Sequence, residues 1–529
     1  MKPHTVYYID GSDVPYLALS DWPDLVAMMM MDPPEGSGPN LEFSMDGHVG
    51  TLTQREGYTV DFDCDADAVH FLDFDAFLQD SGLMLIDMVE ESRPTPDGSI
   101  RYFRRDKSSY ERYGREVTID AAGYGIDFIA DGGECYVPMQ TLGDLLMYRY
   151  ACFFYSGEVV IVGDEETLGS RTPLDLTALG EIYYAVEPRQ RSEAMARFAY
   201  NELCLALDTH YGLKAQHDIA RFDDLSYETG LKDDLTGTDP DAALYQLLEL
   251  HLDDQHTAYL LPSSLSGAHA SDSFQDELGL GQALAAYWVQ GAPYYEARGR
   301  AYPDGVPVYE EIGNTAYITF DSFVGIPEDV DYYEEMPAED VEDTIGIMIY
   351  AYSRITRPDS PIENVVLDMP CNGGGEAPTG IYTVAAFLGI GSMSLRDTFS
   401  GALVTGNYEI DINLDGKIDE GDRWLLDKNL FCLESPISFS CGNYLPCAFK
   451  ESSRVALLGR TSGGGTCVVQ PLSTADGSCF VISGLFQLSF LKNGAFYDID
   501  RCAEPDFPLM KPDSFYDRQA LTEFINSIR

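Results

Sequence analysis

Basic residues are scarce in this chain. Lys and Arg number 33 against 88 Asp and Glu, which leaves a formal net charge of −55 over 529 residues. A surface of that sign repels phosphate backbones and anionic lipid, so nucleic acid and membrane surfaces are excluded as partners. Long apolar runs are missing as well: no stretch reaches the ~18 apolar residues that span a bilayer, and no transmembrane segment is expected. The opening MKPHTVYYIDG lacks the apolar core of a signal peptide. The expectation is a cytosolic protein or the processed form of an exported one. Paired-cysteine motifs are absent too. The 11 cysteines are odd in number and scattered, with no CxxC and no zinc spacing, which argues against a zinc site and a dense disulfide framework. Several fall in apolar runs, where Cys packs as a small hydrophobe. No GxSxG elbow occurs, which counts against an esterase of that type.

What is present is globular: 45% of residues are hydrophobic and 12% aromatic, too many for a disordered chain. The length predicts about two or three domains. Residues 1–185 read as a β-rich accessory domain. The alternating runs TVYYID, YTVDFD, EVTIDAAGYGIDFIA and GEVVIVG are separated by Gly, Asp and Pro, with one short helix at 136–147. Residues 186–310 read as a helical cap and connecting segment. Apolar residues recur at helical spacing over 193–213 and 241–252, the latter preceded by Thr238, Asp239 and Pro240 as cap and first turn. Residues 263–305 read as a polar, Gly- and Ser-bearing connection. From 311 to 529, strands (NTAYITFDSF, NVVLDMP, RVALLG, CFVISG) alternate with helices (340–353, IYTVAAFLG, 519–528). That alternation predicts an α/β core with parallel pairing.

Chemistry concentrates in residues 436–466, which contain SFSCGN, the strand RVALLG and a glycine run. Ser440 stands at the mouth of a predicted helix, whose first N–H groups suit a developing oxyanion; it is the candidate nucleophile. Upstream, NVVLDMPCNGGG is an apolar strand running into a glycine turn that lets main chain approach closely. The N–H of Gly374 or Gly373, together with that of Cys441, would make two oxyanion donors. Separately, DINLDGKIDEGD at 411–422 has the spacing of a calcium loop. Asp411, Asn413 and Asp415 fall at positions one, three and five. Gly416 makes the turn, Lys417 ligates by its carbonyl, Asp419 sits at nine, and Asp422 replaces the usual Glu at twelve. The expectation is a structural Ca2+, filled where calcium is millimolar; the alternative is an acidic turn without metal.

The order of these motifs resembles the C-terminal processing (tail-specific) serine peptidase family, tricorn-type proteases included, over roughly residues 190–529. LDDQHT at 252–257 resembles the family's LDD-x-HT at the end of the cap, and AYITFDSF its first core strand. LDMPCNGGG resembles its oxyanion strand, and SFSCGN with VALLGRTSGGG its nucleophile turn and following glycine segment. The resemblance implies a crotonase-like α/β peptidase core, acyl-enzyme chemistry on protein or peptide substrates, and no cofactor required for catalysis. The processing peptidases use a Ser-Lys dyad, but Gly464 and Gly465 stand where that lysine belongs. A serine without a base is a poor nucleophile. The tricorn-like branch uses a histidine of the cap motif, which places His256 as the base. The other seven histidines (His4, His48, His70, His210, His217, His251 and His269) lie outside such a motif. The orienting acid falls in FYDIDRCAEPDF, with Asp500 first and Glu504 second. Gln255 stands where a serine precedes the histidine in that branch. The segment between Thr257 and Ile312 is too short for the PDZ domain many relatives insert there.

Two readings of different class follow. One is a bacterial serine endopeptidase, extracellular or on the cell surface. The other is a catalytically inactive peptide- or ligand-binding protein on the same fold. The oligomeric state is not legible in the sequence.

Overall fold

The computed structural model describes residues 4–29 apart from Asp10; 41–80 apart from 55–56; 102–164 apart from 113, 148–149 and 156–158; and 190–528 apart from 264, 266–271 and 328. Its centre is a six-stranded sheet in the order β1 (Tyr309–Ile312), β2 (Thr315–Thr319), β3 (Asn364–Asp368), β4 (Asn429–Glu434), β5 (Val455–Gly459) and β6 (Phe507–Pro508). β1 runs antiparallel to β2; every later pair is parallel. Strands β2 and β3 are buried at every residue, as parallel strands covered on both faces must be. The period of two divides their side chains cleanly. Ala316, Ile318, Val365 and Leu367 enter one core, and Tyr317 and Val366 enter another.

The main helices of residues 190–528 are α1 (Glu193–His210), α2 (Asp241–Tyr245, continuing as the π-helical turn Gln246–Leu252), α3 (Gln282–Ala301), α4 (Thr344–Ile355), α5 (Ala377–Leu388), α6 (Cys441–Ser452) and α7 (Arg518–Ile528), and the last five cover the parallel sheet. Helices α4, α5 and α6 pack on the first face, α3 and α7 on the second. The α/β core with parallel pairing and a β-rich N-terminal part therefore forms as the residue pattern predicts. None of the described helices is long and apolar enough to cross a membrane.

A second, antiparallel sheet joins Ala258–Leu261, Cys467–Ser473, Cys479–Ser489, Gly391–Asp397 and Leu403–Ile410 to Phe103–Arg112. The last strand comes from the first 185 residues, so the N-terminal part is stitched into the rest by main-chain hydrogen bonds. That part also holds a five-stranded sheet and a four-stranded one.

Three local expectations are corrected. The helix expected over 136–147 starts at Met139, because Glu134–Pro138 pairs as a strand. The α2 start carries no side-chain cap: Pro240 occupies the N-cap, and neither Thr238 nor Asp239 caps it. The segment 263–305, expected as a polar connection, holds the 20-residue helix α3. Gly291, Pro293 and Gly299 weaken its helical signal, and it buries only Gly291, Tyr294 and Ala297. Tertiary contacts hold it: Gly291 rests against Ile437, and the Tyr294 ring meets Phe515 edge-on at 5.2 Å.

Two buried acid pairs bind the N-terminal part to the rest. Asp75, in helix Phe74–Asp80, meets Asp397 at the end of Gly391–Asp397; Asp144, in helix Met139–Leu146, meets Glu202 of α1. All four are buried. Asp397 Oδ2, Asp144 Oδ2 and Glu202 Oε1 face no donor outside their pair, so a carboxyl proton shared within each pair is what satisfies them. Burial pushes all four upward, Glu202 to about 7, with each partner's charge adding to the effect at Asp144 and Asp397. Asp73 adds repulsion at Asp75, and Ser400 donates to it. Neighbouring His210 is buried neutral and pushed down to about 4.

The folded state holds the carboxyl protons more tightly than the unfolded chain. The pairs therefore contribute fully below the ordinary carboxyl range and lose that contribution as pH rises through the folded values. His210 acts oppositely, losing its contribution as pH falls from its ordinary value toward about 4. A carboxamide donates at any pH. Glu202→Gln and Asp75→Asn are thus expected to raise the melting temperature at about pH 8 by a few °C while leaving it unchanged near pH 5. Thermal melts across pH test this; variants less stable than wild type in alkali refute shared protons.

Candidate active site

Ser440 is the N-cap of α6, with φ 56° and ψ −125°, a region that L-residues avoid and that persists only when surroundings over-determine it. The turn leading to it is pinned from below. Ser435 Oγ donates to Pro370 O and Ser438 Oγ to Met369 O, at 2.6 and 2.7 Å. Phe439 N–H donates to Asn372 O and Ser440 N–H to Gly464 O. The Ser440 carbonyl accepts the N–H groups of Asn443 and Tyr444, which opens the helix. A serine at an N-cap ordinarily turns its hydroxyl back onto the helix. Here the side chain makes no capping bond.

The glycine turn after β3 lies directly against this serine. A Cβ on Gly374 would stand 2.7 Å from Ser440 Cβ and 3.2 Å from its Oγ, so only glycine permits the approach; its φ is 108°. The three expected oxyanion donors are thus gathered at the serine turn, Cys441 as the first residue of α6. In this state the Gly373 N–H donates to Asp321 O at 3.1 Å, and the Gly374 N–H to Asn372 Oδ1 at 3.0 Å.

His256 follows the π turn that ends α2, where Asp253 takes a left-handed φ of 48°. The Asp254 carboxylate organises the loop by accepting from His256 N–H, Thr257 Oγ1, Tyr211 Oη and Ser483 Oγ, at 2.6 to 3.0 Å. The His256 ring then packs on Phe439, the residue before Ser440, with centroids 4.8 Å apart. From α3, Tyr287 approaches the same Phe439 ring at 6.3 Å, and its hydroxyl lies 3.0 Å from where a Gly373 Cβ would be.

Asp500 is at the same turn. Its Oδ1 accepts the N–H groups of Gly465 and Thr466 at 2.8 and 3.0 Å. Crowding by protein pushes its carboxyl up, with Asp498 and Asp254 adding to this and the two N–H groups opposing it. Its loop is tied to α6: Asn443 Nδ2 donates to Ile499 O, Ser462 Oγ to Asn443 Oδ1, and Ala503 N–H to Ser462 Oγ, at 2.6 to 2.9 Å. Glu504 is exposed.

The loop 411–422 lies apart, beyond the strand Leu403–Ile410. Asp411 accepts the N–H groups of Asp415 and Gly416 and the Tyr333 hydroxyl. Asn413 Oδ1 accepts from Asp415, Asp415 Oδ1 from Lys417, Asp419 Oδ1 from Gly421, and Asp422 from Ile412, Asn413 and Asp419. Asp411 and Asp422 are buried, and burial first pushes both carboxyls up. Among the described residues, no three His, Cys, Asp or Glu side chains gather as a metal-binding group.

The sequence reading singled out no role for Asn372, Asp254, Asn443 or Tyr287. The first three sit inside motifs it quoted (CNGGG, LDDQHT and SFSCGN), which was the available signal. Tyr287 carried none, since α3 itself was not predicted.

Comparison with known proteins places residues 314–485 on the model of Peptidase family S41. Those residues run from β2 through Ser440 into the antiparallel sheet, and leave out His256 and Asp500. No curated protein matches the chain. Among solved structures, a photosystem II D1 C-terminal processing protease is similar at 19% identity and a TM-score of 0.27, over 38% of this chain and 43% of that one. A putative peptidase from Parabacteroides merdae is similar at 15% identity and a TM-score of 0.42, over 63% of this chain and 96% of that one. The tricorn protease is similar at 11% identity and a TM-score of 0.25, over 92% of this chain and 41% of that one.

Proposed function

We propose that the chain is a serine endopeptidase acting through an acyl-enzyme, with Ser440 as nucleophile and His256 as base. The observation that carries this reading is the Ser440 backbone at φ 56°, at a helix mouth, with its hydroxyl withheld from capping. His256 reaches the serine turn by packing on Phe439. Ser440 attacks the peptide carbonyl as the imidazole takes its proton; the imidazolium then protonates the leaving amine, and water resolves the ester. Asp500, anchored on the Gly465 and Thr466 N–H groups beside the serine turn, is favoured over Glu504 for stabilising the imidazolium. The Cys441 N–H and the glycine turn would hold the oxyanion. For Gly373 and Gly374 this needs their present bonds to Asp321 and Asn372 to be shared or exchanged.

A lysine base is not compatible with the glycine segment. A Cβ on Gly465 would lie 2.7 Å from the Phe439 ring and 2.8 Å from Ser440 N. The engaged glycine N–H groups favour a second reading, an inactive peptide-binding protein on the same fold. We further propose that the protein is exported or displayed by a bacterium, is tail-specific or tricorn-like in its chemistry, and lacks a PDZ domain. In this reading, loop 411–422 holds a structural Ca2+. Each carboxylate offers about four lone-pair sites, so accepting N–H groups leaves Asp411 and Asp422 capacity for a cation.

A fluorophosphonate probe separates the two readings. Labelling should vanish in Ser440→Ala and fall by about 10²–10⁴-fold in His256→Ala; equal labelling of all three proteins refutes the pair. Gly465→Ala, strained at φ 95° and clashing with the nucleophile turn, should cost about 1–3 kcal/mol in stability and abolish labelling, as read by denaturant melts and probe gels. Gly494→Ala, also at positive φ but with open space around it, should leave labelling intact. Millimolar calcium should raise the melting temperature of wild type, and the rise should disappear in the double variant Asp411→Ala, Asp415→Ala; no rise in wild type counts against the ion.

A further inference from the structure

Two sulfur atoms from different sheets of the N-terminal part meet. Cys64 follows the strand Thr59–Asp63 of the five-stranded sheet, and Cys135 lies on Glu134–Pro138 of the four-stranded sheet. Their Sγ atoms are 3.1 Å apart, about 1 Å beyond a disulfide bond. Both backbones are fixed: Cys64 N–H donates to His48 O, and Cys135 is paired in register with Ala130. The sheets approach this closely because position 50 is glycine. A Cβ there would stand 2.7 Å from Cys135 Cβ and 3.4 Å from its Sγ. By contrast, Cys371 faces the Tyr516 hydroxyl and Cys447 the Asn443 amide oxygen.

We propose that Cys64 and Cys135 form a reversible disulfide that staples the two N-terminal sheets together, made by thiol–disulfide exchange with a small disulfide that is not an anion. Cys64 is the partly exposed member and Cys135 the fully buried one, so the reagent reaches Cys64 first. The Cys64 thiolate attacks one reagent sulfur, breaking the reagent's S–S bond and expelling a thiolate. Cys135 then loses its proton and attacks the Cys64 sulfur, expelling the second thiolate. The reagent is reduced to two thiols that carry the two protein protons, and the protein dithiol is oxidised. The hydrogen bond from Cys135 draws the Cys64 thiol downward, which favours that order of attack. Asp63, Asp65 and Asp67 oppose it and set the reagent's charge: they repel an anionic disulfide and admit a cationic one. The link closes a loop that contains the strand Phe103–Arg112, which stitches the N-terminal part to Leu403–Ile410. It would therefore constrain the unfolded chain more than a local bridge does.

The test uses the full chain equilibrated with cystamine and cysteamine, then alkylated, digested and mapped by mass spectrometry. The expected result is a linked peptide pair containing Cys64 and Cys135, with the loss of two hydrogens and no retained cysteamine. Oxidation should raise the melting temperature by about 5 °C or more, with no rise in Cys64→Ser. Cys135→Ala should trap a stable cysteamine adduct on Cys64. Free alkylation of both thiols after equilibration, or a lasting adduct on wild-type Cys64, overturns the proposal. Should Cys135→Ala fail to fold, the wild-type map and Cys64→Ser decide alone. None of these readouts depends on peptidase activity.

Discussion

The backbone of Ser440 stands at φ 56° and ψ −125°, and its neighbours leave it no relaxed alternative. Below it, Ser435 and Ser438 are pinned to the end of β3 through the Pro370 and Met369 carbonyls. Beside it, Gly374 closes to a distance no side chain would allow. Ahead of it, the first turn of α6 already uses its carbonyl. Strain of this kind costs of order 1–3 kcal/mol and survives only where packing outweighs it. The parallel sheet supplies that packing, because β3 and β4 end side by side and fix where the glycine turn and the serine turn meet. The position of the hydroxyl is thus a consequence of sheet register rather than of the serine turn alone.

Electrostatics divides the molecule into two regimes. Outside, a charge of −55 is solvated and repels polyanions. Inside, acids are tolerated only when neutral or richly hydrogen-bonded. Asp75 with Asp397, and Asp144 with Glu202, share protons across the junction between the N-terminal part and the rest. Asp254 is instead surrounded by four donors. Asp500, at the surface, is a third case, its carboxyl raised by nearby protein while two N–H groups hold it in place. The same residue type serves as latch, scaffold and candidate catalytic partner, according to what faces it.

Helix α3 changes the character of the site. It brings Tyr287 over Gly373 and against Phe439, so that Phe439 is approached by His256 from the cap and by Tyr287 from α3. The adjacent Trp288 and Val289 are exposed, leaving apolar surface beside the candidate cleft. The cap residue, α3 and the C-terminal loop with Asp500 converge from distant parts of the chain. None of these three lies within the segment matched by the peptidase family model, which does contain the serine turn.

Much of the architecture was legible in the residues. Strands such as NVVLDMP and helices such as IYTVAAFLG announce themselves by burial pattern and period, and their alternation implies parallel pairing. The serine and glycine motifs were legible as well, because tight turns restrict residue type locally. The helix α3 was not: Gly291, Pro293 and Gly299 give it poor local propensity, and it exists through contacts with Ile437 and Phe515 far along the chain. Nor did spacing reveal that Asn443 and Ser462 hold the Asp500 loop, or that Cys64 faces Cys135 across two sheets. By itself the sequence determined which segments become strands, helices and glycine turns, since those choices follow from backbone freedom and the periodicity of apolar side chains. Only the tertiary structure decided which imidazole, carboxylate and glycine share the space around Ser440, because such meetings depend on sheet register and packing between residues hundreds of positions apart.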